Sequence, residues 1–134
     1  MKLAALLVLA LVFAPPVEPE RVTWGTLAGY DWKAGDKLPD DVTKLDKKEV
    51  SVSGYMRRED DGAGETEYFM LINDACGCQG TPKMNEIVFC TMPEGEPTEI
   101  LPGLVTVTGT LYVGEVKEDG AIVALYQLDV DKIK

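Results

Sequence analysis

Apolar and polar residues alternate most clearly in the last third of the chain, between residues 105 and 113. The apolar half of this pattern consists of Val105, Val107, Gly109, Leu111 and Val113. A two-residue period is typical of a half-buried strand, because successive side chains point to opposite faces of a sheet. Similar segments predict four further strands, at residues 49–56, 66–72, 87–92 and 122–128. Segments rich in glycine, proline and acidic residues separate them, as is typical of turns.

One segment has a helical period instead. Leu38, Val42 and Leu45 are spaced as on one face of a helix, and Pro39 precedes two aspartates at its start. Five short strands and one helical turn predict an all-β fold, a small five-stranded OB-like barrel with one short helix. Gly54 and Gly109, inside two of the strands, fit the sharp bends that closing such a barrel requires.

The N-terminus predicts export. Lys2 is followed by an unbroken apolar run over residues 3–14 and then by a proline-rich segment. Because this run is shorter than the ~20 residues that span a bilayer, we interpret residues 1–14 as a signal peptide or a short anchor. Residues 15–21 are then a linker and residues 22–134 a single β-barrel domain. The expected location is the periplasm or another part of the cell envelope, with no stable membrane insertion beyond an uncleaved signal.

Charge and composition exclude several function classes. The chain has 23 acidic and 13 basic residues, a formal charge of -10, and no histidine. Nucleic-acid binding would need a basic groove, which is not present in this sequence. Hydrolytic catalysis is also unsupported, because there is no histidine to act as a base and no nucleophile-elbow serine. The sequence therefore predicts a non-catalytic protein.

Three cysteines carry the candidate chemistry. Cys76 and Cys78 are one residue apart in a turn-rich segment, and Cys90 follows in a predicted strand. Neighbouring thiolates bind zinc or copper(I). The same part of the chain contains other side chains with suitable donor atoms, namely Asp74, Met84, Glu86 and Met92. Thioether donors would favour copper(I), and carboxylates would favour zinc.

Two other interpretations of the cysteines stay open. A disulfide within Cys76-Gly77-Cys78 would close a very small, strained ring, so a bridge would join Cys90 to one of the two. In the third interpretation, Cys90 is a small core residue, because it has the same strand parity as Val88 and Met92.

A short signature connects the chain to a known family. The segment 75–78 (Ala-Cys-Gly-Cys), then Pro82, then the segment 85–88 (Asn-Glu-Ile-Val) resembles an uncharacterised family of exported bacterial proteins, a domain of unknown function. Its members read approximately Ala-Cys-Ile-His, a proline run, then Asn-Gln-Ile-Val. The family cysteine falls on Cys76, its histidine on Cys78 and its asparagine on Asn85, whereas Cys90 matches no family cysteine.

The resemblance implies export, no established enzymatic activity and an accessory role beside transport systems of the cell envelope. Histidine and cysteine replace one another as metal ligands but not as disulfide partners, so Cys78 at a histidine position favours coordination. We therefore expect a non-catalytic envelope accessory or binding protein, with Cys76, Cys78 and Cys90 as candidate ligands of zinc or copper(I). The expected partners are a metal ion, an envelope transport protein, or both. The alternative is a disulfide-stabilised interaction domain associated with a transport system.

Overall fold

The five strands predicted from alternation are present in the computed structural model, which describes residues 18–74 and 80–134. A sixth, short strand precedes them. In chain order the elements are β1 (Glu20–Val22), α1 (Trp24–Ala28), α2 (Asp40–Thr43), β2 (Lys48–Arg58), β3 (Tyr68–Ile72), a 3₁₀ turn (Met84–Glu86), β4 (Ile87–Thr91), β5 (Leu104–Glu118) and β6 (Ala121–Ile133).

The sheet closes into a ring. Its strand order is β1-β2-β3-β4-β6-β5, and β2 also pairs with β5. Neighbouring strands in the ring are antiparallel except β4 and β6, which are parallel. β1 lies parallel to β2, with Val22 opposite Val52. The predicted all-β, OB-like barrel is confirmed, with β1 as an added strand.

The alternation of apolar and polar residues in the sequence corresponds to side chains that point alternately into the barrel and away from it. On β2 every second residue is buried, namely Val50, Val52, Gly54 and Met56, and the residues that alternate with them are partly or fully exposed. Gly109 lies at a register shift between β5 and β6, and a Cβ atom there would collide with the carbonyl oxygen of Asp129. A Cβ atom at Gly54 would lie 2.7 Å from the carbonyl oxygen of Ile72. Both glycines therefore allow neighbouring strands to approach closely.

Two features differ from the sequence expectation. β1 begins at Glu20, so the sheet takes in the last two residues of the predicted linker. α1 has no counterpart in the prediction; its backbone is capped by Thr23, whose side chain accepts a hydrogen bond from the N–H of Thr26. The predicted helix near residues 38–45 is present as α2, which buries Val42. Among the described residues, no helix is long and apolar enough to cross a membrane.

Hydrogen bonds of two tyrosine hydroxyl groups connect α1 and the residues that follow it to the barrel. Tyr126 on β6 is fully buried, and its hydroxyl donates a hydrogen bond to the carbonyl oxygen of Leu27 over 2.6 Å. The hydroxyls of Tyr30 and Tyr126 lie 2.7 Å apart. Since the single hydroxyl proton of Tyr126 is used by Leu27, Tyr30 is the donor in this second bond. α1 is thereby held at a fixed position beside the sheet.

Candidate functional site

The predicted thiol pair lies outside the described residues. Cys76 and Cys78 belong to residues 75–79, between the described residues Asp74 and Gly80. Their role as metal ligands stays a prediction. Among the described residues, no group of three or more Asp, Glu, Cys or His side chains is placed to hold a metal ion.

Cys90 lies in the barrel core. It is 1% exposed, and its register neighbours on β3 and β6 are the equally buried Phe69 and Leu128. Its thiol is free and donates a weak hydrogen bond to the carbonyl oxygen of Val88, with a sulfur-to-oxygen distance of 3.7 Å. Burial raises the pKa of this thiol far above its ordinary value, so the uncharged form predominates. This is the environment expected if Cys90 is a packing residue.

A candidate site lies beside α1, where a cavity of about 440 Å³ is found, which we call the α1 cavity. It lies between α1, the facing parts of β2 and β3, and the chain leading to the 3₁₀ turn. Its described lining consists of Trp24, Gly25, Ala28, Gly29, Arg57, Ile72, Asn73, Asp74, Gly80, Pro82 and Glu86. The two residues that flank segment 75–79, Asp74 and Gly80, are both among them. Cys90 is not.

Trp24 forms the apolar side of this cavity, and its orientation is fixed. The indole Nε1 donates a hydrogen bond to the carbonyl oxygen of Ser53 on β2 over 2.7 Å. Ile72, 3% exposed at the end of β3, adds aliphatic surface. Because the ring is hydrogen-bonded to the sheet and α1 is fastened through Tyr126, the apolar wall is formed in advance of any ligand.

Charges of both signs line the same cavity. Arg57 on β2 is exposed, and within the described chain its guanidinium has neither an ion-pair nor a hydrogen-bond partner. Glu86 closes the 3₁₀ turn, where its carboxylate accepts a hydrogen bond from the backbone N–H of Lys83 over 3.3 Å. Asp74 supplies a second carboxylate. Cationic and anionic groups can therefore both be recognised here.

Asn85, the asparagine of the predicted signature, has a structural position next to this site. It is 1% exposed, and its Nδ2 donates to the carbonyl oxygen of Tyr30 over 2.9 Å. Its Oδ1 accepts no hydrogen bond from the described residues. The contact joins the 3₁₀ turn to the chain that follows α1, so Asn85 helps to set the distance between two walls of the cavity.

Sequence reasoning placed Asp74, Asn85 and Glu86 near the candidate site, but it did not identify Trp24 or Arg57. One signal was available, because the threonine before Trp24 is a favourable helix N-cap residue. No comparable signal marks Arg57, whose side chain is brought to α1 only by the barrel.

Comparisons with known proteins identify a family and support the fold. A family model described as "Protein of unknown function (DUF3299)" matches residues 30–134. The crystal structure of a DUF3299 family protein from Pseudomonas aeruginosa PAO1 is similar with a TM-score of 0.60 and 23% sequence identity. The similarity covers 87% of this chain and 95% of that one. At this identity the likeness concerns the fold alone.

A weaker similarity is to the Stn1–Ten1 complex of S. pombe, with a TM-score of 0.41 and 10% identity over 90% of this chain and 78% of that one. A score this low carries no functional argument. No curated protein matches the chain.

Proposed function

The chain belongs to the DUF3299 family of proteins of unknown function, and we propose that it is a non-catalytic binding protein of the cell envelope. In this proposal it is exported by its N-terminal segment and binds one transition-metal ion through Cys76 and Cys78. It acts as an accessory to an envelope transport protein. The signature in which Cys78 stands at a histidine position supports coordination, because both residue types bind transition metals.

The observation that carries this proposal is the position of Asp74 and Gly80 at the α1 cavity. They are the described residues on either side of segment 75–79, and both line the cavity. Along the chain, Cys76 is two residues from Asp74 and Cys78 is two residues from Gly80. The carboxylate of Asp74, which directly precedes the segment, belongs to that lining and is a suitable oxygen ligand for zinc.

The environments of the other sulfur atoms favour zinc over copper(I). Met84 and Met92 pack against the hydrophobic core, so their thioethers are occupied by apolar contacts. Cys90 is buried with a raised pKa, which opposes the thiolate form that a metal ligand requires. We therefore assign Cys90 to the core and complete the site with a carboxylate.

Metal binding is tested with the full exported domain, reduced and stripped of metal. Cobalt(II) serves as the spectroscopic probe because thiolate coordination gives an intense charge-transfer absorption, and zinc competition then gives the zinc affinity. We expect one metal ion per chain, and loss of the charge-transfer band in the Cys76→Ser, Cys78→Ser double variant. Cys90→Ala is the matched control and should keep the band. Equal metal uptake by the parent and the double-serine variant would refute the proposal.

The disulfide-stabilised interaction domain is distinguished by intact mass. Alkylation of the unfolded, unreduced protein should modify all three cysteines if the thiols serve a metal or pack. Modification of a single cysteine would instead show an internal bridge. Export is checked separately by cell fractionation and N-terminal sequencing of the mature chain, where recovery of full-length protein only from the cytoplasm would contradict it.

A further inference from the structure

The α1 cavity has a chemistry that metal binding does not use. Its volume of about 440 Å³ lies within the range of sites for small organic ligands. One wall is apolar, formed by Trp24 and Ile72, and the lining includes one guanidinium and two carboxylates. A site for a bare ion would need neither an aromatic wall nor this volume.

Arg57 is the group that indicates a ligand. A guanidinium presents parallel N–H donors that match a carboxylate, so an unpaired arginine in the lining of a cavity offers a site for one. Arg58, the next residue, shows the paired case: its Nε lies 2.9 Å from Asp60 Oδ1, and its Nη1 donates to the carbonyl oxygen of Gly64. Arg57 has no such partner in the part of the chain that the structure describes, although it lines a cavity.

The acidic groups restrict what Arg57 can bind. A ligand with negative charge alone would bring its charge close to Asp74 and Glu86, and a ligand with positive charge alone would face Arg57. A molecule that carries both charges can satisfy both sides. Glu86 has acceptor capacity left, since its one intramolecular bond in the described structure is to the N–H of Lys83.

We propose that the α1 cavity binds a small zwitterion with an apolar side chain, of the size of an amino acid or a dipeptide. Arg57 holds the ligand carboxylate, Glu86 accepts hydrogen bonds from its ammonium group, and the apolar side chain packs against Trp24 and Ile72. This site uses no thiol and no metal ion, so it goes beyond metal binding and can be tested independently of it.

The test uses three probes that share one phenyl ring: L-phenylalanine, 3-phenylpropionate, which lacks the ammonium group, and phenethylamine, which lacks the carboxylate. The full exported domain is labelled with ¹⁵N and titrated in buffer with a metal chelator. Binding is followed by the indole N–H resonance of Trp24. The chain has two tryptophans, so the resonance of Trp32 is an internal reference. We expect L-phenylalanine to bind roughly tenfold or more tightly than either analogue, because a charge-assisted contact is lost with each.

Variants that remove one charge at a time then assign the contacts of the ligand's carboxylate and ammonium groups. Arg57→Gln should reduce the affinity for L-phenylalanine to that for phenethylamine, while Glu86→Gln should reduce it to that for 3-phenylpropionate. Glutamine at position 86 keeps an oxygen for the N–H of Lys83, so the 3₁₀ turn is preserved. Arg21→Gln, which removes an exposed arginine on β1, is the matched control and should change nothing.

Three results would overturn the zwitterion site. The first is the absence of a saturable shift of the Trp24 resonance with L-phenylalanine, and the second is equal affinity for all three probes. The third is an equal loss of affinity in Arg57→Gln and Arg21→Gln. None of these results bears on metal uptake, which depends on the Cys76→Ser, Cys78→Ser comparison.

Discussion

The barrel interior around Cys90 and the α1 cavity are two regions formed with the same sheet, and their chemistry is opposite. In the interior, Phe69, Cys90 and Leu128 come from three neighbouring strands and are at most 1% exposed. In the cavity, Trp24 shares the lining with charged groups of both signs. The interior keeps its thiol uncharged and is suited to stability. The cavity keeps charges near an apolar wall and is suited to recognition.

The contribution of the barrel interior to stability is tested by truncating one of its side chains. Phe69→Ala removes a fully buried ring next to Cys90 and leaves a cavity, so we expect it to lower the free energy of unfolding by about 3–5 kcal/mol. Denaturant unfolding of the reduced protein measures this loss.

Tyr68→Ala is the matched control, because Tyr68 is the preceding residue of β3 and is 52% exposed on the opposite face. It should cost no more than about 1 kcal/mol. Similar losses for the two variants would show that the interior of the barrel is not the main source of stability.

The next prediction concerns the hydrogen bonds of Tyr126, which connect α1 to the barrel. Tyr126→Phe removes the hydroxyl that bonds both Leu27 and Tyr30, so we expect a loss of about 1–3 kcal/mol from two polar groups left without this partner. Tyr30→Phe should cost less, about 0.5–1.5 kcal/mol, because Tyr126 still donates to Leu27.

The position of α1 in Tyr126→Phe and Tyr30→Phe can be followed by a second measurement, the indole resonance of Trp24. Tyr126→Phe should move the Trp24 indole resonance more than Tyr30→Phe does, since Tyr126 alone contacts the backbone of α1. The reverse order of the two variants, in stability or in resonance shift, would contradict the assignment of donors.

The sequence was sufficient for the interior and insufficient for the cavity, for a physical reason. Strand alternation is local, so Val105 and Val107 reveal which side of β5 faces inward, and Cys90 shares the parity of the buried Val88. β1 was missed because three residues are too few for a recognisable period. The cavity joins residues from α1, β2, β3 and the 3₁₀ turn, and no local pattern encodes that contact. Arg57 illustrates this, because its neighbours at the site are more than 10 residues away along the chain.

The smallest expected effect concerns charge on the outside of the barrel. Glu49 on β2 is exposed, and a side-chain hydrogen bond with Asp131, together with repulsion from its charge, raises the pKa of Glu49 above its ordinary value of 4.5. The folded protein therefore holds this proton more tightly than the unfolded chain. The resulting stabilisation is fully present below about pH 4.5 and is lost as pH rises through the folded pKa.

At neutral pH the two carboxylates repel one another, so Glu49→Gln, whose amide group can donate to Asp131, should raise the melting temperature slightly at pH 7. The increase should shrink in acid and vanish in an Asp131→Asn background. An increase that persists in that background would show that the charge of Glu49 acts on some other group.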